Sequence, residues 1–205
     1  LQMLRGELEL VQDGARRLAV QLEIASLSRD EEDSDSAVDA YLAALTLEPD
    51  NERALVGVRE LARAKGRWDI LVGAFRNAPP TAENLGVLAE ALRERQEWNE
   101  LAQVLAKQID AEPGNAEKAE LAHSLAEVCE TQLADAAGAV NAYQRALEFN
   151  PVRPESQAAV ARLLEAQERW PELATAFEQE LTTVPPTQVE RQVGLLLRLG
   201  QLRRD

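Results

Sequence analysis

The chain has 205 residues, 45% of them hydrophobic, 28% charged and 4% aromatic, with a formal net charge of −14. That much apolar material excludes a disordered chain and is enough for a sizeable core. The acidic balance argues against nucleic acid and anionic membranes as partners, because phosphate binding draws on clustered Lys and Arg.

In chain order, residues 1–13 (LQMLRGELELVQD) read as the end of a second helix from a preceding repeat, and apolar-periodic residues 18–30 as a first helix. The acidic run from Asp30 to Asp35 lacks the Gly and trailing Glu of a calcium loop. It reads as a solvated turn in which Ser34 or Asp35 caps a helix beginning near Ser36. That helix, AVDAYLAALTLEP over 37–49, sets Ala37, Tyr41 and Ala44 on one face before Pro49 stops it. Asp50-Asn51 starts the next helix over 52–65, and Gly66 ends it in the left-handed region. A second phrasing of the frame follows in Trp68, Leu71 and Phe75. After the turn residues Pro79-Pro80 and the cap Thr81 come a first helix over 82–95 and a second one with Trp98, Leu101 and Leu105.

Residues 116–132 form the next first helix. AVNAYQRALEFNP over 139–151 then repeats the earlier phrase, with Ala139, Tyr143, Ala146 and Pro151. Pro154 opens a helix over 154–168, Trp170, Leu173 and Phe177 begin another, and a last helix runs over 188–203. Anchors at 37, 71, 101, 139 and 173 step by 34, 30, 38 and 34 residues, the period of a helix-pair repeat. The three Trp residues, all at the starts of second helices, are expected to wedge between neighbouring pairs.

These phrases resemble the tetratricopeptide repeat (TPR) family over nearly the whole chain. The alternation of "AV-AY" and "W-EL" units is similar to segments of long bacterial TPR scaffold proteins. The resemblance implies an all-α, right-handed α-solenoid of antiparallel helix pairs, of about five repeats with flanking half-repeats. As one solenoid over 1–205, its frames fall at 1–17 (end of a preceding repeat), near 18–51, 52–81, 82–115, 116–153 and 154–187, and at 188–205 (first helix of a further repeat).

The resemblance also implies that first helices line a groove for a peptide or partner protein. Aligning the repeats places Arg53, Val56, Glu60 and Arg63, then Glu83, Glu90 and Arg93, then His123 and Glu127, then Arg162, on that groove side. Glu120, Glu155, Gly86 and Ala158 extend the surface. The paired Lys and Asn with which some members grip a chaperone's C-terminal carboxylate are missing, which argues against that partner.

The chemistry on offer is sparse. His123 is the only histidine and Cys129 the only cysteine, so no disulfide and no zinc site forms, and no cofactor or metal is expected. Cys129 falls on an apolar stripe with Leu125 and Leu133 and reads as a buried small hydrophobe. The expected function is a non-catalytic interaction scaffold, part of a larger multi-repeat bacterial protein in complex assembly, with a cytoplasmic setting favoured and no direct membrane insertion. A structural module that self-associates through uncapped ends, or a regulatory domain of an enzyme elsewhere in the full-length chain, are the alternatives.

Overall fold

The computed structural model describes residues 1–203; Arg204 and Asp205, the last two positions of the expected terminal helix, lie outside the described residues. The described residues form helices and turns without a strand. The helices are α1 (Gln2–Leu10), α2 (Gly14–Asp30), α3 (Ser34–Leu47), α4 (Glu52–Ala64), α5 (Trp68–Phe75), α6 (Ala82–Glu94), α7 (Trp98–Ala111), α8 (Asn115–Thr131), α9 (Ala136–Phe149), α10 (Pro154–Ala166), α11 (Trp170–Thr183) and α12 (Val189–Leu202). The chain divides into two compact units, Leu1–Val104 and Leu105–Asp205. In the first, helices α1 to α6 each pack on their sequence neighbours; in the second, α8 to α12 do the same. Connections of a few residues between packed neighbours leave only an antiparallel arrangement.

Why the helices start where they do is visible in their caps. The Asn51 side chain accepts from the Ala54 amide at 3.1 Å, and the Thr81 hydroxyl accepts from the Asn84 amide at 3.2 Å. Asp13 and Asp135 serve α2 and α9 in the same way. Each satisfies one of the amides that a helix start leaves without a partner. At α3 the expectation needs correcting. Asp33, not Ser34 or Asp35, is the cap; its carboxylate accepts from the Ser36 amide at 3.2 Å, so the helix begins at Ser34. The Ser36 side-chain hydroxyl, and then that amide, hold the Asp33 carboxyl below its usual pKa. Asp35 is thereby free to pair with Lys65 at 2.9 Å.

The ends follow rules too. Before Pro49 and Pro151 the chain is already extended, with φ −141° and ψ 92° at Glu48 and φ −138° and ψ 85° at Asn150. A proline ring pushes its predecessor out of the helical region, so α3 and α9 stop one residue earlier than the ring itself would require. The first helices end otherwise. Glu32, Gly66, Gln96, Ala134 and Glu168 have positive φ between 52° and 63°. These positions also step by 34, 30, 38 and 34, the spacing of the apolar anchors. After α2, α4, α6 and α10 the next amide, that of Asp33, Arg67, Glu97 and Arg169, bonds back to a carbonyl five residues earlier at 2.8 to 3.0 Å. This closes the helix with a left-handed residue. After α8 the turn is one residue wider, and Asp135 reaches back to Cys129 at 2.8 Å. The longest step in the period falls at that turn.

Every apolar anchor is buried: Ala37, Tyr41 and Ala44; Leu71 and Phe75; Leu101 and Leu105; Ala139, Tyr143 and Ala146; Leu173 and Phe177. A fully buried Leu or Phe contributes about 2 kcal/mol. In the second unit one cluster runs from Ala126 and Cys129 through Val140, Tyr143 and Leu164 to Leu195 and Leu199. Cys129 is buried there and carries no disulfide, and burial raises its thiol pKa. The tryptophans stand where expected but differ in burial. They begin α5, α7 and α11; Trp68 and Trp98 are half-buried and Trp170 is 44% exposed. As the first residue of its helix, each lies a turn short of the buried Leu, at the edge of the core. No helix among the described residues is long and apolar enough to cross a membrane.

Candidate functional site

In the first unit, Arg53, Val56, Glu60 and Arg63 recur every three or four residues along α4 and are all exposed, so they form one outward stripe. On α6, Glu83 and Arg93 are exposed and Glu90 is half-buried. The two helices are stitched by ion pairs: Arg63 with Glu90, and Arg59 with Glu83. Of the expected groove residues here, Arg63 and Glu90 are brought together; Glu83 instead binds Arg59, which the sequence reading missed.

The second unit holds a denser network on α8 and α10. Glu120 on α8 pairs with Arg153, the residue that opens α10, and Arg153 also lies 3.8 Å from Glu155. The His123 Nδ1 sits 2.9 Å from the Ser156 hydroxyl, and its Nε2 is 3.6 Å from a Glu127 carboxylate oxygen. A carboxylate only accepts, so the tautomer that fits has the proton on Nε2, leaving Nδ1 to accept from Ser156. The ring meets Tyr143 of α9 edge-on at 5.1 Å. The Tyr143 hydroxyl donates to Glu130 at 3.3 Å, and Glu130 also binds Arg162 at 2.7 Å. Three links therefore join α8 to α10 and its cap: Glu120 to Arg153, His123 to Ser156, Glu130 to Arg162.

The electrostatics follow from burial. Burial, then the nearby Arg153 charge, lowers the His123 pKa and keeps the ring neutral near pH 7. Burial and the Glu130 carboxylate push Tyr143 up to about 12, so its hydroxyl stays a donor. The hydrogen bond from Arg153 lowers the Glu120 pKa. Glu120, Glu127 and Glu155 all remain exposed beside Arg162, so carboxylates outnumber guanidiniums on the outer surface of the network.

Among the expected residues, His123 and Glu127 are in contact, while Arg162 lies along the same seam through Glu130. Sequence reasoning missed Glu130, Tyr143 as a polar group, Arg153 and Ser156. The available signal was opposite charge one repeat apart: Arg153 follows Glu120 by 33 residues, as Ser156 follows His123.

Ser156, His123 and Glu127 have the residue types of a hydrolytic triad, but Ser156 is sealed from solvent. The Ser156 side chain has no solvent exposure, so it cannot meet a substrate. Among the described residues no group of three or more His, Cys, Asp or Glu is placed to hold a metal ion.

Paired helices repeating with a mean step of about 34 residues define a TPR-like fold. No family model matches the chain, and no curated protein matches its sequence. Solved structures do. The structure of Naa15/Naa10 bound to HypK-THB is similar at a TM-score of 0.55 and 18% identity, over 91% of this chain and 29% of that one. MamA is similar at 0.49 and 18%, over 80% of this chain and 90% of that one. YrrB, described as a TPR protein with an unusual peptide-binding site, is similar at 0.48 and 12%, over 85% and 89%. At such identities what is shared is the fold.

Proposed function

We propose that this chain is a non-catalytic protein-binding module, which takes a peptide or partner protein on the outward faces of its first helices. In this reading the repeat frames near 18–51, 52–81, 82–115, 116–153 and 154–187 are the units of one scaffold. The observation that carries it is the α8–α10 network: Arg153, Ser156 and Arg162 are already held by α8, leaving Glu120, Glu127 and Glu155 exposed on a rigid base. A surface whose rotamers are fixed before binding loses little entropy when a partner arrives. Its carboxylates favour a segment carrying Lys or Arg. The same fold accompanies a bound protein, HypK-THB, in the Naa15/Naa10 structure. Nothing in the network supplies an accessible nucleophile, which supports binding rather than catalysis.

The test is selection of peptides from a display library on the whole chain, followed by rebinding to the variants Glu127→Lys/Glu155→Lys and Arg63→Glu/Arg93→Glu. The expected result is basic peptides that lose at least tenfold in affinity for the first variant. Peptides that bind wild type and both variants equally would overturn the proposal.

A further inference from the structure

We propose that His123 is an acid-released latch between α8 and the first turn of α10, so that α10 loosens on mild acidification while α4 of the first unit does not. The latch is a single hydrogen bond. The Ser156 hydroxyl donates to His123 Nδ1 at 2.9 Å, and among the described residues it has no second acceptor. Ser156 has no solvent exposure, so water does not stand in for the ring nitrogen. A protonated imidazole carries hydrogen on both nitrogens and accepts at neither. Acid therefore leaves a sealed hydroxyl without a partner or drives it into the open.

The position of the ring makes its charge costly as well. Ser156 is the third residue of α10, whose N-cap is Arg153. A positive ring there faces the positive end of the helix dipole. The groups around it are Glu120 and Glu127 of α8 itself, Tyr143 of α9, and Arg153 and Glu155 at the start of α10. Glu120 is already paired with Arg153, which holds the guanidinium beside the ring. Burial, then the Arg153 charge, outweighs the pull of Glu127, Glu120 and Glu155, so the proton binds only below the ordinary histidine range. The latch holds at neutral pH. His123 is the only histidine in the chain, and no other side-chain type ordinarily changes charge between about pH 5 and 8. In the first unit the third residue of α4 is Ala54, which has no hydroxyl to satisfy. The latch joins the helices that carry Glu127 and Glu155, so acid should also weaken partner binding there. That consequence rests on the function proposed above; the loosening itself does not.

Hydrogen–deuterium exchange of the whole chain without a partner, at about pH 7.5 and about pH 5.5 and corrected for the intrinsic pH dependence of exchange, tests this. The expected result is at least threefold faster exchange in the first two turns of α10 at the lower pH, with α4 unchanged. His123→Gln has no imidazole to titrate, so its α10 should exchange alike at both values. Ser156→Ala keeps the ring and removes its donor, so the imidazole should titrate at a higher pH than in wild type when followed by NMR. Equal exchange of wild-type α10 at the two values overturns the proposal. So does acid loosening that persists in His123→Gln, since carboxylates would then be its cause, or an imidazole that titrates identically with and without Ser156. Loosening of α10 with undiminished capture of basic peptides upholds the latch and counts against the partner surface instead.

Discussion

Tyr41 and Tyr143 hold the same place in the repeat phrase and lead different lives. Tyr41 is buried against Gly57 sixteen residues later, where an added Cβ would overlap the ring. Tyr143 has Ala159 at that offset, contacts the edge of His123 and donates to Glu130. In the first unit the ring is packing material; in the second it is packing at one end and the foot of a polar network at the other. Repetition assigns a position to a side chain, and the neighbours one repeat away decide its chemistry.

The comparison can be broken at several points. The largest effect is expected from Tyr41→Ala, which empties a closed pocket and should cost about 4 kcal/mol in chemical denaturation of the whole chain. If Tyr41 were not core, the loss would fall below about 1 kcal/mol. Next, Gly57→Ala should cost about 2 kcal/mol through the overlap with the Tyr41 ring. The matching change Ala159→Gly should cost about 1 kcal/mol, the ordinary penalty of a helix-interior glycine. Equal losses at the two sites would erase the distinction.

Tyr143→Phe keeps the ring and removes one hydrogen bond, at an expected cost of about 1 kcal/mol, because Glu130 retains Arg162. A subtler sign comes from His123. Its folded pKa lies below the unfolded value of about 6.5, so the unfolded chain takes up the proton first. The neutral ring's contribution is present above that pH and is lost as the pH falls toward the folded pKa. Melting temperatures of wild type and His123→Gln, followed from about pH 8 to about pH 5, should therefore converge on acidification. Parallel curves would mean that the ring is not held neutral.

Much of this architecture was legible in the amino-acid order. Alternating small and bulky apolar residues announced the helix pairs, and Asn51, Thr81, Gly66 and Pro154 marked ends that the structure keeps. The Asp33 cap was missed because any of several polar residues in Asp30–Asp35 can reach a free amide, and only the path of the turn chooses among them. The tryptophans were placed correctly at the starts of second helices, but identical placement does not fix equal burial, since a first-turn residue sits at the rim. The α8–α10 seam was half seen. His123 and Glu127 lie on one helix and were placed together by aligning the repeats, but Arg153 and Ser156 join them only through contacts 33 residues apart. A reading made helix by helix does not register such partners. Glu130 was hidden for a related reason, since it pairs with Tyr143, a residue assigned wholly to the core.

The left-handed residues that close the first helices carry one more implication. Only Gly66 adopts that backbone without a steric penalty; Glu32, Gln96, Ala134 and Glu168 each hold a side chain where L-residues are disfavoured by about 1 kcal/mol or more. Placing glycine at those four sites should raise the melting temperature step by step while leaving every surface described above untouched. The protein therefore stands below the thermal ceiling of its own architecture, with the slack distributed one hinge per repeat.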